Sequence, residues 1–339
     1  FNTAHFAQII QSEYGIDVSY TTIWRWLKAQ KLVKNPRVRR RKRRVYRTRM
    51  PKEGLLIQMD GCHHKFNGKD EWCLIAAIDD ATSDIPYAEF FSDGETTLNC
   101  MKVLEQIIKR RGVPKAIYTD KAGWAGGGKR TEFSQFKRAC EKLGIQVIFA
   151  DSPEAKGRIE RTFRTIQDRL IPELRLNKIT DLKKANTYLR KKFIGKYWES
   201  KNVIKAQDPE VAYSPLDPWL RLNEILCIEE DRKIGSDQTL SWRSEKYLID
   251  GGTISFAGYL AIFRTDLRGK TRVFVHGQEV QLKTIKEIKR EPSDRPKKTV
   301  IELDPLLYIK MYRRIIEVNN AAKLCRVTGK PLKISKNAS

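Results

Sequence analysis

Apolar residues recur along the chain in two rhythms, one of two residues and one of three to four, and the points of change divide it into elements. Near the start, "HFAQIIQSEYG" and "VSYTTIWRWLKAQ" both carry helical spacing. The first ends at Gly15, and the second opens on Ser19, a residue type that caps helix N-termini. Ile23 and Leu27 stand one turn apart on its buried side. From about residue 54 the rhythm changes: "LLIQMDG", "WCLIAAIDD" and "PYAEFF" predict three short strands. "ETTLNCMKVLEQIIKRRG" returns to helical spacing, with Leu98, Met101, Leu104 and Ile108 on one stripe. "KAIYTD" and "IQVIFAD" predict two more strands, and "RTEFSQFKRACEKLG" between them a helix closed by Gly144. A long helix follows, capped by Ser152 with Pro153 at its first position. Three antiparallel strands followed by alternating helices and strands predict a mixed α/β sheet with helices on its faces.

Residues from about 176 to 222 read as helical and then irregular. Between 232 and 285, "TLSW", "EKYLI", "TISF", "LAIFRT", "RVFVH" and "EVQL" follow at short intervals and predict a small, strongly bent barrel. Trp242, Tyr247 and Phe256 belong in its core, and Arg264, Arg268, Lys270 and Arg272 in its basic loops. "KREPSDRPKK" reads as a linker, and Leu306, Ile309, Tyr312 and Ile316 line one stripe of a final helix suited to docking on a neighbouring protomer. The expected division is a head over 1–33, a linker over 34–53, a core over 54–175, a helical connector over 176–231, the barrel over 232–285, and a C-terminal linker, helix and basic tail over 286–339.

Charge narrows the class of partner. The 339 residues hold 66 Lys and Arg against 41 Asp and Glu, a formal net charge of +25. Such an excess fits a densely anionic partner, of which nucleic acid is the commonest. The excess is concentrated in "KNPRVRRRKRRVYRTR", residues 34–49, where ten of sixteen residues are basic and none is acidic. This run cannot pack a core. Lying between a helical pair and a folded domain, it suits an arm that tracks DNA through Arg37, Arg39, Arg40, Arg41, Lys42, Arg43 and Arg44. The bland alternative is a solubilising tail. On the second helix, Tyr20, Thr21, Trp24, Arg25 and Lys28 fall outside the buried stripe, as on a helix that enters a major groove.

Other classes recede. No apolar run is long enough to span a bilayer, and no signal-peptide pattern is present. Six scattered cysteines without a C-x-x-C pair argue against structural zinc and a disulfide framework, and for a reducing compartment. His63 and His64 follow Cys62, but nothing nearby completes a ligand set. The chain begins on Phe1 rather than Met, so it is expected to lack its natural start.

Three acids stand where open α/β sheets place their sites. Asp60 is expected at the end of the first strand, Asp120 at the end of the fourth, and Glu160 on the long helix. Lys156, Glu160, Phe163 and Gln167 share one face of that helix, with Arg158, Arg161 and Arg164 beside it. Glu160 reads either as a surface ion pair or as a metal ligand beside a phosphate backbone. Three convergent carboxylates repel one another unless a cation sits among them, and hard oxygen ligands suit magnesium or manganese. Two such ions about 3.5–4 Å apart serve phosphodiester displacement. Asp79 and Asp80 read as turn formers.

The stretches "IQMDG", "LIAAIDDATS", "AIYTDKAG", "LGIQVIFADSPEAKGRIERTFRTIQDRLIPELRL", "AQDPEVAYSPL" and "RKIGSDQTLSW" occur in that order. Over roughly residues 54–245 the chain resembles the DDE transposases of bacterial insertion sequences, most closely the ISNCY group, which have a retroviral-integrase-like catalytic core. In that family the third acid follows a glycine in P-x-x-x-G-x-x-E, here Pro153, Gly157 and Glu160, while Asp60 and Asp120 match the first two acids. The resemblance implies a ribonuclease H-like core, a helix-turn-helix head and a small C-terminal barrel. It further implies a polynucleotidyl transferase using two Mg2+ or Mn2+ ions held by Asp60, Asp120 and Glu160. The expected partners are double-stranded DNA, as terminal inverted repeats and target, and further copies of the chain in a dimer or higher oligomer. Lys121, Lys156 and Arg158 are expected to contact DNA near the scissile phosphate. The expected location is the bacterial cytoplasm, at the nucleoid. The alternative reading is a domesticated, non-catalytic DNA-binding regulator.

Overall fold

The computed structural model describes residues 2–33, 48–120, 130–150, 157–250 and 254–285. Five strands, β1 (Ile57–His64), β2 (Trp72–Asp79), β3 (Tyr87–Phe91), β4 (Ala116–Asp120) and β5 (Gln146–Ala150), form one sheet in the order β3-β2-β1-β4-β5. β1, β2 and β3 pair antiparallel, whereas β1 with β4 and β4 with β5 pair parallel. An antiparallel meander continued by parallel strands through helical crossovers is the ribonuclease H-like plan.

All eight positions of β2 are buried. Cys73, Ile75 and Ala77 enter one core with Met101, Leu104 and Ile108 of α3 (Thr97–Arg111) and Phe136, Ala139 and Cys140 of α4 (Arg130–Lys142). Trp72, Leu74, Ala76 and Ile78 enter another with Ile159, Phe163, Ile166 and Leu170 of α5 (Gly157–Leu176). A strand covered on both faces reads as a continuous apolar run, which is why "WCLIAAID" is so plain in the sequence. The Thr96 side chain caps α3 by accepting from Asn99 N, and Lys109, Arg110 and Arg111 close it beside its exposed carbonyls. The chain then turns at Gly112, where φ is +107° and a Cβ would meet Ser214 O at 2.7 Å, so a side chain there is excluded twice.

The connector is more ordered than its composition suggests. α6 (Leu182–Tyr188) runs into a π-helical segment, Leu189–Trp198, whose Leu189, Phe193, Ile194 and Trp198 fill the α5 core. At the base of this segment Asn186 accepts from Phe90 N at 2.7 Å and donates to Phe90 O at 3.0 Å. Its amide stands in for a neighbouring strand along β3, the edge of the sheet.

At the N-terminal end, α1 (Thr3–Tyr14) stops at Gly15 with φ +66°, and α2 (Tyr20–Ala29) is capped by the Ser19 side chain accepting from Thr22 N, both as the sequence pattern predicts. α1 rests on α5: His5 Nε2 lies 3.1 Å from Glu173 Oε1, and Arg169 donates to Gln8 Oε1 while stacking 3.6 Å over Tyr197.

At the other end a six-stranded antiparallel sheet takes the order β6-β9-β10-β11-β8-β7. Its strands are β6 (Cys227–Lys233), β7 (Thr239–Trp242), β8 (Glu245–Asp250), β9 (Leu260–Asp266), β10 (Thr271–Val275) and β11 (Gln278–Thr284). The sheet curls around Ile234, Leu240, Ile249, Phe263 and Val275, with Trp242 stacked on Phe263 at 4.7 Å. Among the described residues it is a half-barrel whose outer strands β6 and β7 do not pair, which is as far as the small, strongly bent barrel expected there is seen. "TISF" is a correction: residues 254–256 are not a strand, and Phe256 reaches the core from a turn. The final helix and tail, with Leu306, Ile309, Tyr312 and Ile316, lie outside the described residues.

α4 and the half-barrel meet at β6. Gln135 donates to Glu229 O at 2.7 Å and accepts from Glu229 N at 3.0 Å. The Glu229 carboxylate meets Arg264 Nε at 3.0 Å, Lys142 Nζ at 3.1 Å and Arg138 Nη1 at 3.2 Å. Burial alone would raise this carboxyl, but Arg138, Lys142 and Arg264 outweigh burial and hold it below the usual carboxylate range. A depressed folded value stabilises fully above the unfolded value of about 4.3 and is lost as pH falls through the folded one. Glu229→Gln is therefore expected to cost about 2 kcal/mol in urea unfolding near neutral pH. The gap to wild type should close as pH falls below about 4. A gap that persists in acid would show that the carboxylate charge is not what binds α4 to β6.

Candidate active site

Asp60 lies in the middle of β1, opposite Ala76 of β2, and not at a strand end. β1 continues to His64 because its antiparallel partner does, pairing His64 with Trp72. Its parallel pairing with β4, however, ends at Gln58 and Tyr118. Asp60 thus stands just past the point where β1 and β4 stop bonding. The pairing keeps a constant offset, Ile57 with Ile117 and Gln58 with Tyr118. Were that offset carried two residues further, it would set Asp60 level with Asp120, the last residue of β4.

Strand alternation decides which way Asp60 faces. Ile57 and Met59 belong to the α3–α4 core, whereas Cys62 packs against the α5 core. Asp60 shares the parity of Cys62 and so faces α5. Gln167 of α5 reaches Cys62 Sγ at 3.0 Å, which fixes the helix over this strand. Two turns earlier on the same helical face is Glu160, exposed in the first turn of α5. Ile159 and Phe163, 1% and 7% exposed, hold that turn to the core. Asp60 thus faces α5, and Glu160 stands exposed in the first turn of that helix. Burial raises the Cys62 thiol and pushes that of Cys73 on the neighbouring strand up to about 12, so neither is a thiolate at neutral pH.

Asp79 and Asp80 divide the roles that the doublet suggests for both. Asp79 is a turn former: it accepts from Ala81 N at 2.9 Å, Thr82 N at 3.0 Å and Gly54 N at 2.7 Å. Burial raises its carboxyl, against the pull of those same bonds. Asp80 is fully buried and turned elsewhere, accepting from Gln58 Nε2 at 2.7 Å, Met50 N at 2.9 Å and the Arg158 guanidinium. Arg49 donates to the carbonyls of Asp80 and Ala81 at 3.1 and 3.2 Å, and burial and then Arg158 lower its pKa. This network is the part of the site that sequence reading missed. The only signal for it is the doubled aspartate after β2, where two side chains in succession take opposite directions. Glu95 was missed as well; its carboxylate covers Gly61, where a Cβ would lie 2.5 Å from Oε2.

Of the expected DNA contacts, Tyr20, Thr21, Arg25 and Lys28 are exposed on α2. Trp24 is half-buried, with Lys28 Nζ 4.9 Å from its ring centroid, and Trp26 on the same helix is 58% exposed. Arg161 and Arg164 are exposed on α5. Arg264 and Arg272 are engaged with Glu229 and with Glu224 and Glu279. Arg37, Arg39, Arg40, Arg41, Lys42, Arg43 and Arg44 lie outside the described residues, as do Lys121, Ser152, Pro153 and Lys156. Among the described residues no group of three or more His, Cys, Asp or Glu side chains is close enough to hold a metal ion, and Asp120 is described by its backbone alone. No described helix is long and apolar enough to cross a membrane.

No family model matches the chain. It is 31% identical over 253 residues to "Putative transposase y4bF" of Sinorhizobium fredii, covering 71% of this chain and 54% of that protein. It is 34% identical over 228 residues to "Transposase for insertion sequence IS1202" of Streptococcus pneumoniae, covering 56% of this chain and 49% of that protein. The chain is similar to insertion-sequence transposases. It spans about half the length of these two curated transposases. Among solved structures, the simian T-cell lymphotropic virus intasome in complex with the PP2A regulatory subunit B56 gamma aligns at 15% identity and a TM-score of 0.39, covering 82% of this chain and 95% of that one.

Proposed function

We propose that the chain is a DNA transposase that binds the inverted-repeat ends of an insertion sequence, nicks them at the 3′ ends and joins them to target DNA. What supports this reading is the parallel register of β1 with β4, Ile57 with Ile117 and Gln58 with Tyr118, which continued two residues on would bring Asp60 level with Asp120, together with the helix whose first turn bears Glu160. Similarity to transposases supplies the class of reaction.

Asp60, Asp120 and Glu160 form an all-carboxylate donor set, which fits hard divalent cations, and these three residues would hold two magnesium or manganese ions. When bound, the ions supply Lewis-acid chemistry at the phosphodiester. In the first step a water oxygen bonds to phosphorus at the element's end, and the bond to O3′ breaks to free a 3′-hydroxyl. In the second that hydroxyl oxygen bonds to a target phosphorus while the target's own O3′ leaves, so one phosphodiester replaces another. Lys121 and Lys156 would neutralise phosphates beside the acids, and no protein–DNA bond forms.

The remaining parts support the same reading as a division of labour. Residues 1–33 would read the terminal repeat through Tyr20, Thr21, Trp24, Arg25 and Lys28, and the basic run that follows would track the backbone. The core over 54–175 would carry the chemistry, and the half-barrel and terminal helix would support assembly of two or more copies around paired ends. The bacterial cytoplasm, at the nucleoid, is the compartment that such a role requires.

The test is transfer of a labelled terminal-repeat oligonucleotide, taken from the DNA flanking the gene, into plasmid DNA with magnesium or manganese. Joined product that disappears on chelation is the expected result. Specific binding with no nicking or joining under any divalent ion would replace this reading with that of a non-catalytic regulator.

A further inference from the structure

Asp80 is a buried side chain committed to three partners that the proposed chemistry does not use. Its relative exposure is 0%, and its carboxylate is shared by three segments distant in sequence. Oδ1 accepts from Gln58 Nε2 at 2.7 Å and from Arg158 Nη1, and Oδ2 accepts from Met50 N at 2.9 Å. Each partner borders a working part of the site. Gln58 is two residues before Asp60 on β1, Arg158 is two residues before Glu160 on α5, and Met50 follows directly on the basic run.

Stability alone is a weak reason for such a pair. Burying a carboxylate against a guanidinium costs desolvation that the attraction barely offsets, and apolar residues of similar volume serve a core as well. What the pair does supply is direction. The first turn of a helix has few backbone bonds of its own, so a side chain on it is only as well aimed as that turn is held. Ile159 and Phe163 hold it against sliding off the core, but apolar contacts leave its rotation soft. A charged, hydrogen-bonded link to the strand bearing Asp60 removes that freedom.

We propose that Asp80 is a positioning residue: through Arg158 and Gln58 it sets the Glu160 end of α5 against the Asp60 strand, and through Met50 N it anchors the root of the basic arm to the same point. Arg158 thereby holds the helix instead of touching DNA. The inference rests on the proposed function, since it concerns the aim of that site's acids.

Asp80→Asn keeps the volume but presents an amide N–H2 where Arg158 or Met50 also donates. Arg158→Gln, at a partly exposed position, removes the same link from the other side and stands in should Asp80→Asn fail to fold. Each full-length variant is expected to lower kcat for strand transfer about 100-fold, the usual cost of a misplacement near 1 Å, with KM for terminal DNA nearly unchanged. Mn2+ affinity of the DNA-free protein, read by electron paramagnetic resonance, should fall about tenfold. The double variant should lose no more than Asp80→Asn alone, because Arg158→Gln cuts a link that Asp80→Asn has already cut. A raised KM with kcat and Mn2+ affinity intact would overturn the proposal and return Arg158 to the DNA. So would losses that multiply in the double variant, or that merely follow the unfolded fraction. Should wild type neither bind Mn2+ nor join strands, the function itself fails; should wild type do both and Asp80→Asn match it, only the positioning role fails.

Discussion

Asp120→Asn is expected to lower strand transfer at least about a thousandfold while leaving terminal-repeat binding intact. The change removes one negative charge and adds no bulk. A carboxylate that holds a catalytic cation contributes several kcal/mol to the transition state, and each 1.36 kcal/mol or so is a factor of ten in rate. Asp60→Asn and Glu160→Gln should behave alike, since the three acids serve one task and lose it together. Binding should hold or tighten slightly, because a neutral amide repels phosphate less than a carboxylate does. Mobility shift with labelled ends, run beside the joining assay, separates the two effects. A variant that joins strands at the wild-type rate would remove that acid from the mechanism. One that loses binding and joining in step would mean that the acid shapes the fold and not the chemistry.

The second large effect concerns salt. With a formal net charge of +25 and ten basic residues between 34 and 49, binding should release many condensed counterions. If six to ten phosphates are neutralised, affinity for terminal DNA should fall by about 10³–10⁵ between 50 and 200 mM salt. Alanine at Arg39, Arg40, Arg41, Lys42, Arg43 and Arg44 should flatten the logarithmic slope by about one unit for each phosphate left without its cation. Tyr20→Ala or Arg25→Ala should instead relax the preference for the correct end and leave the slope nearly unchanged. A slope that the arm variant does not alter would place the electrostatic attraction elsewhere.

Much of the core was legible because its elements obey simple rhythms. β2 announces itself by an unbroken apolar run, α3 by its stripe and basic end, and both head helices by Gly15 and Ser19. The three acids rest on spacing and resemblance, to which the structure adds the parallel pairing of β1 with β4 at Ile57–Ile117 and Gln58–Tyr118. What stayed hidden was decided by contacts remote in sequence. β6 escaped notice because Glu229, Glu230, Asp231 and Arg232 give it no apolar alternation; an edge strand carries such charge readily. "TISF" looks like a strand, but no described partner pairs with it. The π-helical turn has no local signature, since its extra residue per turn serves the packing of Phe193 and Trp198. Asp79 and Asp80 are the clearest case. Side by side they are chemically the same, and only the tertiary fold makes one a turn former and the other the meeting point of three segments.

The two side-chain amides at Asn186 and Gln135 bear on how copies can come together. Each occupies both hydrogen-bonding groups of one residue on an outer strand, Phe90 in the first sheet and Glu229 in the second. A further strand, whether from another copy or from a misfolded chain, finds those rims already taken. Along β3 and β6, association of copies at these two residues would fall to helices, loops or shared nucleic acid, and crowded, highly charged chains are kept from zipping into fibres at these points.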